Sequence, residues 1–471
     1  MNAAGLSVPL STLERCFQGI IPSLVATADA EGVPNVTYVS QVHFVDDRHV
    51  ALSRQFFNKT TRNLQVNPRA CIELYDPVTF EAYRLRARFV REESSGPLFE
   101  SMSLRIQVIA SHTGMSGVFR LLAADVFEVE AVERVDGFLG PLSSDEPGDV
   151  FAAAGFRTEL QGLQGVSERI NRAEDLESLL ETVLEALDTH FGFDHTMVLL
   201  HDEACGKLVA ISSRGYGPEG IGAEIALGEG IHGTVAREGK VLRISGLDRE
   251  LRYARAIRRE TQLEGAPVAP EIPLPGLPDA CSTLAMPLRV RDRLVGVLAA
   301  ESRDPLKFDG WDEGYLQVVG NQIALGIDRM HERSVTIDRD VPGPAPETPA
   351  SSRAPAAQPA AGPKHTFCFY RNDDCVFVNG EYLIRNVPGR ILWKLLGSWA
   401  RDGRTEFTNR ELRLDASLGL PPIKDNLESR LILLRRRLEQ KCPDVRLVST
   451  GRGRFALAIT GAVDLVEKES A

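Results

Sequence analysis

The sequence predicts a multidomain α+β protein, and three observations carry that prediction. The first is a tract, VPGPAPETPASSRAPAAQPAAGPK at residues 341–364, with almost no large apolar side chain. Such a segment cannot bury a core, so residues 336–363 read as an extended flexible linker. The second is a change of pattern along 471 residues, a length sufficient for three domains. Short β-type runs broken by Asp/Gly turns fill residues 1–150, and amphipathic helices alternating with strands fill residues 158–335. The third is charge. Residues 364–460 hold 18 Lys+Arg against 11 Asp+Glu, a net +7 inside a chain of formal net charge −11. An acidic body with a basic end fits an electrostatically steered nucleic-acid module joined to something else.

In the first module, Leu13 to Gly19 reads as a short helix. Ser23–Ala28, Pro34–Val39, Gln41–Val45 and His49–Ser53 follow as strands, with turns at Asp29-Ala30-Glu31-Gly32 and Asp46-Asp47-Arg48. Turns this tight predict an antiparallel sheet. Asn58 or Thr60 caps a short helix that Asn67-Pro68 stops. Backbone N–H groups and hydroxyls at that helix start, with Lys59 and Arg62 nearby, make a phosphate-binding pattern. Arg84, Arg86 and Arg88 alternate on one strand face, which suits an anionic ligand or an ordinary solvated surface.

LVATADAEGVPNVTYVSQVHFVDDRHVALS followed by FFNKTTRNLQVNPRACIELYDP resembles the pyridoxamine 5′-phosphate oxidase-type split β-barrel, over about residues 12–135. The resemblance implies FMN at a dimer interface, its phosphate near Ser53, Lys59, Thr60, Thr61 and Arg62. Many family members carry two consecutive basic residues where this chain has Lys59-Thr60. Split barrels also bind haem, another flavin or nothing, so a barrel used only for dimerisation stays open.

In the second module, Thr158–Leu163 and Leu176–Phe191 read as helices. Leu176, Leu179, Leu180, Val183, Leu184 and Leu187 line one face of the longer one. Thr196–Leu200, Lys207–Ser212, Ala223–Ile225 and Lys240–Ile244 are strand-like. GEGIHGTVAREGKVLRI and STLAMPLRVRDRLVGVLAAES, with a closing helix Asp312–Met330, resemble a GAF domain over about residues 165–332. Gly228, Gly230 and Gly233 open its internal helix. GAF domains use one fold for cyclic nucleotides, haem, bilins, small metabolites or dimerisation, so the resemblance names no ligand. His232 is expected to be a packed, hydrogen-bonded side chain and not a metal ligand. The two long helices are expected to pack together and to extend into a dimer bundle.

Beyond the linker, Thr366–Tyr370 and Val376–Val378 form a hairpin, and Asn379-Gly380 makes a second tight turn before Tyr382–Ile384. Pro388 begins a helix through Trp399, and Thr408 caps another. Ile423, Leu427, Leu431, Leu434 and Leu438 then mark one stripe of a basic helix. Two apolar runs joined by Ser-Thr-Gly-Arg-Gly-Arg follow as a hairpin with a cationic tip. Hairpin, three helices, hairpin is the arrangement of a winged helix-turn-helix. LESRLILLRRRLE with VRLVSTGRGRFAL resembles the C-terminal DNA-binding domain of OmpR/PhoB-type response regulators, over about residues 366–460. Lys424, Arg430, Arg436, Arg437, Arg452 and Arg454 are the expected contacts to double-stranded DNA. Ile432 and Leu433 stand where that family has polar residues, and they leave an apolar protein–protein face open. Residues 461–471 read as a tail.

Seven cysteines without CxxC or His/Cys ligand spacing point to a reducing cytosol and away from a zinc site. No signal pattern or membrane-length apolar run is visible, so a cytoplasmic location is expected, and the split-barrel resemblance implies a homodimer. The reading that unites these modules is a ligand- or redox-responsive transcriptional regulator. Its alternative is an FMN-dependent oxidoreductase with regulatory C-terminal domains. No nucleophile–base or carboxylate pair stands at catalytic spacing, so any catalysis would be the flavin's own.

Overall fold

The computed structural model describes Leu6 and residues 8–469, apart from 56–57, 117, 136–153, 204, 217–219, 264–275, 341–362, 373, 421–425 and 452. The described residues form four sheets. The first begins after a 3₁₀ helix, Leu10–Gln18, and comprises β1 Ser23–Ala28, β2 Pro34–Val39, β3 Val42–Asp46, β4 His49–Arg54, β5 Arg69–Tyr75, β6 Ala82–Glu93 and β7 Ala123–Arg134. Helix α1, Asn58–Val66, follows β4, and α2, Pro97–His112, follows β6. The strands run in the order β2-β1-β5-β6-β7-β4-β3, every neighbour antiparallel.

Period-two alternation decides which side chains face the core. In β7, Phe127 and Val129 enter the cluster with Leu10, Phe17, Ile72 and Leu85, while Ala124 and Val126 face Met102 of α2. The alternating arginines of β6 belong to a surface ladder: Arg84 pairs with Glu73 at 3.4 Å and Arg86 with Glu133 at 2.9 Å.

The second sheet runs β10-β9-β8-β13-β12-β11. Its elements are α3 Ala154–Arg172, α4 Leu176–Phe191, β8 His195–Asp202, β9 Lys207–Arg214, β10 Glu224–Ala226, α5 Gly230–Glu238, β11 Leu242–Ser245, α6 Leu247–Leu263, β12 Ser282–Val290, β13 Arg293–Ser302 and α7 Gly310–Asp340. An Asp175–Ser178 capping box starts α4 and left-handed Gly192 ends it. Leu179, Leu180 and Val183 of α4 pack with Leu284, Leu298, Val319 and Ile323 on one sheet face. The other face is covered by α5, by α6 and by Leu104, Val108 and Ile109 of α2, a helix from the first module. Gly233 is required by close approach, since a Cβ there would lie 2.2 Å from the Ala226 carbonyl oxygen.

The last module comprises β14 Lys364–Tyr370, β15 Cys375–Val378, β16 Glu381–Ile384, α8 Asn386–Asp402, β17 Glu406–Thr408, α9 Asn409–Leu414, α10 Leu427–Lys441, β18 Val445–Gly451, β19 Arg454–Ile459 and β20 Ala462–Lys468. It builds the sheets β16-β15-β14-β20 and β17-β19-β18. The expected tail is therefore corrected: Ala462–Lys468 is a strand, parallel to β14. Its acids meet bases, Asp464 on Lys364 at 2.7 Å and Glu467 on Arg371. Leu427, Leu434 and Leu438 of α10 are fully enclosed, as the stripe predicted. Ile423 and Lys424 lie outside the described residues.

Candidate functional site

Helix α10 carries the basic residues on which the DNA expectation rests, and the structure turns most of them onto the second module. Arg430 is 5% exposed, and its Nη2 donates to both Asp202 oxygens at 3.0 and 3.2 Å. Arg436 donates to Glu181 Oε1 at 3.0 Å and to Ser212 Oγ at 3.3 Å. Arg435 bonds Glu177 and the Leu447 carbonyl. Ile432 and Leu433, outside the expected stripe, are also buried. Leu433 sits at the β8–β9 face beside Leu200, Val209 and Ile211. A Cβ on Gly222 would come 3.0 Å from its Cδ1.

This corrects the expected exposure of the helix. Arg430 and Arg436 are covered, and the apolar face at Ile432 and Leu433 meets a partner within the same chain. Arg437 is partly exposed and Arg454 exposed. Arg452, like Lys424, lies outside the described residues.

The contact extends past the helix. Arg385 Nη2 and Asn386 Nδ2 donate to Glu224 at 2.8 and 3.2 Å, and Asn426 Nδ2 donates to the His201 carbonyl at 3.1 Å. Burial raises the carboxyl pKa of Glu177, with Arg435 and Arg436 pulling the other way. At Glu224 burial is outweighed by hydrogen bonds from Lys207 and Arg385, which bring the carboxyl below its usual range. An ion pair as enclosed as Arg430–Asp202 contributes little net stability. Removing one partner is costly, however, because it strands a buried charge.

The phosphate residues expected in the first module are only partly assembled. Ser53 lines a cavity of about 370 Å³ with Tyr38, Gln55, Met102, Ile109 and Phe119, closed on one side by Arg249 and Tyr253 of α6. Lys59 and Arg62 are exposed on α1 and Thr61 is half-buried. None of the three lines that cavity. Thr60 is 4% exposed, and its Oγ1 accepts from Asn35 Nδ2 at 3.1 Å, so it ties α1 to β2. An adjoining cavity of about 400 Å³ is walled by Gln18, Gln41, His43, Arg105 and Arg243. Burial and the Arg105 charge push the His43 imidazole down to about 3.

First and second modules are joined by specific bonds. Ser111 Oγ donates to the Gly228 carbonyl at 3.0 Å and accepts from Gly230 N–H at 2.9 Å. Arg105 Nε donates to Glu250 at 2.9 Å. His232 is fully buried as expected, but neither ring nitrogen has a hydrogen-bond partner among the described residues. Burial and neighbouring His112 hold it at about 4. Among the described residues no His/Cys/Asp/Glu group is arranged to hold a metal ion, and no helix is long and apolar enough to cross a membrane.

Residues 12–133 match the family model described as pyridoxamine 5′-phosphate oxidase, and residues 175–327 match the GAF domain model. A pyridoxamine phosphate oxidase-like domain and a GAF domain are present. Many solved structures are similar over part of the chain, three of them as follows. A GAF domain from an Acinetobacter phosphoenolpyruvate-protein phosphotransferase is 22% identical, with 37% of this chain and 95% of that one covered and a TM-score of 0.30. Free methionine-R-sulfoxide reductase from Neisseria meningitidis, in complex with its substrate, is 18% identical, covering 39% and 95% at a TM-score of 0.32. An FMN-binding protein from Syntrophomonas wolfei is 19% identical, covering 27% and 88% at a TM-score of 0.23. No curated protein matches the chain significantly.

The acidic partners of α10 were not singled out in the sequence, though a signal exists. Glu177, Glu181 and Glu185 recur every four residues along the outer face of α4.

Proposed function

We propose that the chain is a ligand- or redox-responsive transcriptional regulator in which the GAF domain holds a winged-helix DNA-binding module by its recognition helix. The observation that carries this reading is the docking of α10, with Arg430, Arg435 and Arg436 on Asp202, Glu177 and Glu181. A helix whose arginines already face carboxylates at 3.0 Å has counter-charges standing where phosphates would stand. The order of hairpin, helices and terminal hairpin supports the winged-helix assignment, as does the net +7 of residues 364–460. In the held state the arginines are neutralised. Release exposes them together with Ile432 and Leu433.

The signal enters through the other modules. In this reading FMN is the cofactor of the first module, with Lys59, Thr61 and Arg62 of α1 as candidates for its phosphate, while Ser53 lines a cavity that those three do not. Thr60 drops out of that set because Asn35 holds it. Bound there, a flavin would supply redox chemistry. The residues of this chain bind its phosphate and pass the change on through α2 and α6, which pack on the GAF sheet. The regulator acts as a cytoplasmic homodimer built on the barrel.

The test is fluorescence anisotropy of full-length protein on labelled duplex DNA at low ionic strength. Replacing the three counter-charges, as Glu177→Gln/Glu181→Gln/Asp202→Asn, should tighten binding about tenfold by favouring the released state. Equal affinity in both proteins, or no salt-dependent binding in either, overturns the reading.

A further inference from the structure

Between β8–β9 of the GAF domain and α8 and α10 lies a cleft whose wall is short of acceptors. Arg430 is 5% exposed, and while its Nη2 sits on Asp202, its Nε and Nη1 have no hydrogen-bond partner among the described residues. The Ser429 hydroxyl, on a residue 4% exposed, has none either, nor has either ring nitrogen of His201. All three residues line the same cleft. Buried polar groups left without partners are costly, and these three residues belong to one wall.

We propose that this cleft is a binding site for a small phosphate dianion, and that its occupant clamps the DNA-binding module onto the GAF domain. Charge supports the choice of ligand. Lys207, Arg385, Arg430 and Arg437 stand in the wall against two carboxylates, Asp202 and Glu224, an excess of two positive charges before His201 is counted. A phosphate carries about −1.5 to −2 near pH 7 and offers several strong acceptor oxygens. A carboxylate brings half the charge and fewer acceptors. A cation would meet a wall already positive.

Size agrees. The cavity measures about 60 Å³, room for roughly four to six waters at about 10–15 Å³ each, which is the scale of one phosphate group. The donors come from both sides, Lys207 and His201 from the GAF domain and Arg385, Arg430 and Arg437 from the other module. Binding therefore requires the docked arrangement and stabilises it by mass action. Free phosphate and the head of a phosphomonoester share this chemistry. The inference deepens the proposed function but rests on the docked arrangement alone, not on DNA binding.

The experiment is calorimetric titration of the full-length chain with inorganic phosphate, and with glycerol phosphate as a second arm. Arg437→Gln, at the partly exposed rim, should weaken binding about tenfold or more, the scale of one charge-assisted hydrogen bond. Ser429→Ala should weaken it severalfold without lowering the thermal midpoint, since it removes a hydroxyl that has no partner. Lys59→Ala, on α1, should leave this binding unchanged. Equal affinity for both probes identifies the phosphate group as the recognised element with its ester tail in solvent, and binding of inorganic phosphate alone identifies the free ion. The proposal is overturned if neither probe binds, if binding survives both cleft substitutions, or if it disappears with Lys59→Ala and so belongs to the barrel. A failure of DNA binding would leave all these outcomes readable.

Discussion

Glu301→Gln should stabilise the protein in alkaline solution and leave it unchanged in acid. Glu301 lies on β13, 2% exposed, and its Oε2 accepts from Tyr216 O–H at 3.0 Å and from Leu277 N–H at 2.6 Å. Burial raises its pKa from 4.5 to about 7, although both hydrogen bonds pull it down. A folded pKa above the unfolded one means that stability is fully present below pH 4.5 and is lost as pH rises through about 7. At about 1.4 kcal/mol per unit, that shift corresponds to a loss on the order of 3 kcal/mol above pH 8. Glutamine keeps an acceptor oxygen for Tyr216 and Leu277 and never ionises. Thermal midpoints measured from pH 4 to 9 should converge for the two proteins at the acid end. They should separate between about pH 4.5 and 7 and stay apart above that, the variant higher by roughly 2–4 °C per kcal/mol. A constant offset at every pH, or a variant that melts lower at pH 9, would refute the argument that burial of this charge governs the slope.

Four further outcomes follow from the same geometry. Asp202→Ala strands the Arg430 guanidinium and should destabilise the docked module by about 3–5 kcal/mol, read as a lower urea midpoint; an unchanged midpoint would show that the pair is dispensable. Lys59→Ala should weaken flavin uptake by about 1.5–3 kcal/mol in an absorbance titration, and full uptake by the variant would remove Lys59 from the phosphate site. His43 and His232, held at about 3 and about 4, stay neutral in the fold, so stability present above pH 6.5 should fall as pH drops toward 4. His232→Leu should flatten part of that fall, and an equally steep acid limb in the variant would contradict the assignment. Gly215→Ala should cost several kcal/mol, because the residue sits at φ +80° and a Cβ would lie 1.9 Å from the Asp194 carbonyl oxygen; an unchanged thermal midpoint would contradict it.

What the sequence disclosed follows from how local each signal is. The leucine stripe of α4 acts within one helix, and the observed bounds Leu176–Phe191 are those the periodicity predicts. The Asn379-Gly380 turn needs positive φ at both positions, and both have it, at 53° and 86°. Helix α2 was not anticipated, because it is buried between two modules. Met102 faces the barrel strands while Leu104, Val108 and Ile109 face the GAF sheet, so no single apolar stripe stands out. The same physics misled the reading of α10, where Ile432 and Leu433 fall off the stripe that packs within their own module and belong to a contact with another. Strand β20 escaped because its partner β14 lies almost a hundred residues away in sequence. At the candidate site the residue types were legible and their partners were not. Arginines on a helix face announce an anion, but nothing local distinguishes a phosphate backbone from Glu177, Glu181 and Asp202.

Hydrogen exchange of the amides in α10 tests that docking most directly. In the full-length protein residues 427–441 should exchange slowly, as part of an apolar cluster continuous with α4 and β8. In the Glu177→Gln/Glu181→Gln/Asp202→Asn protein the same amides should exchange at least about tenfold faster, while the strands of the first sheet keep their protection. Equal protection of α10 in the two proteins would contradict the account, because the helix would then owe its order to its own module and the GAF carboxylates would not be holding it.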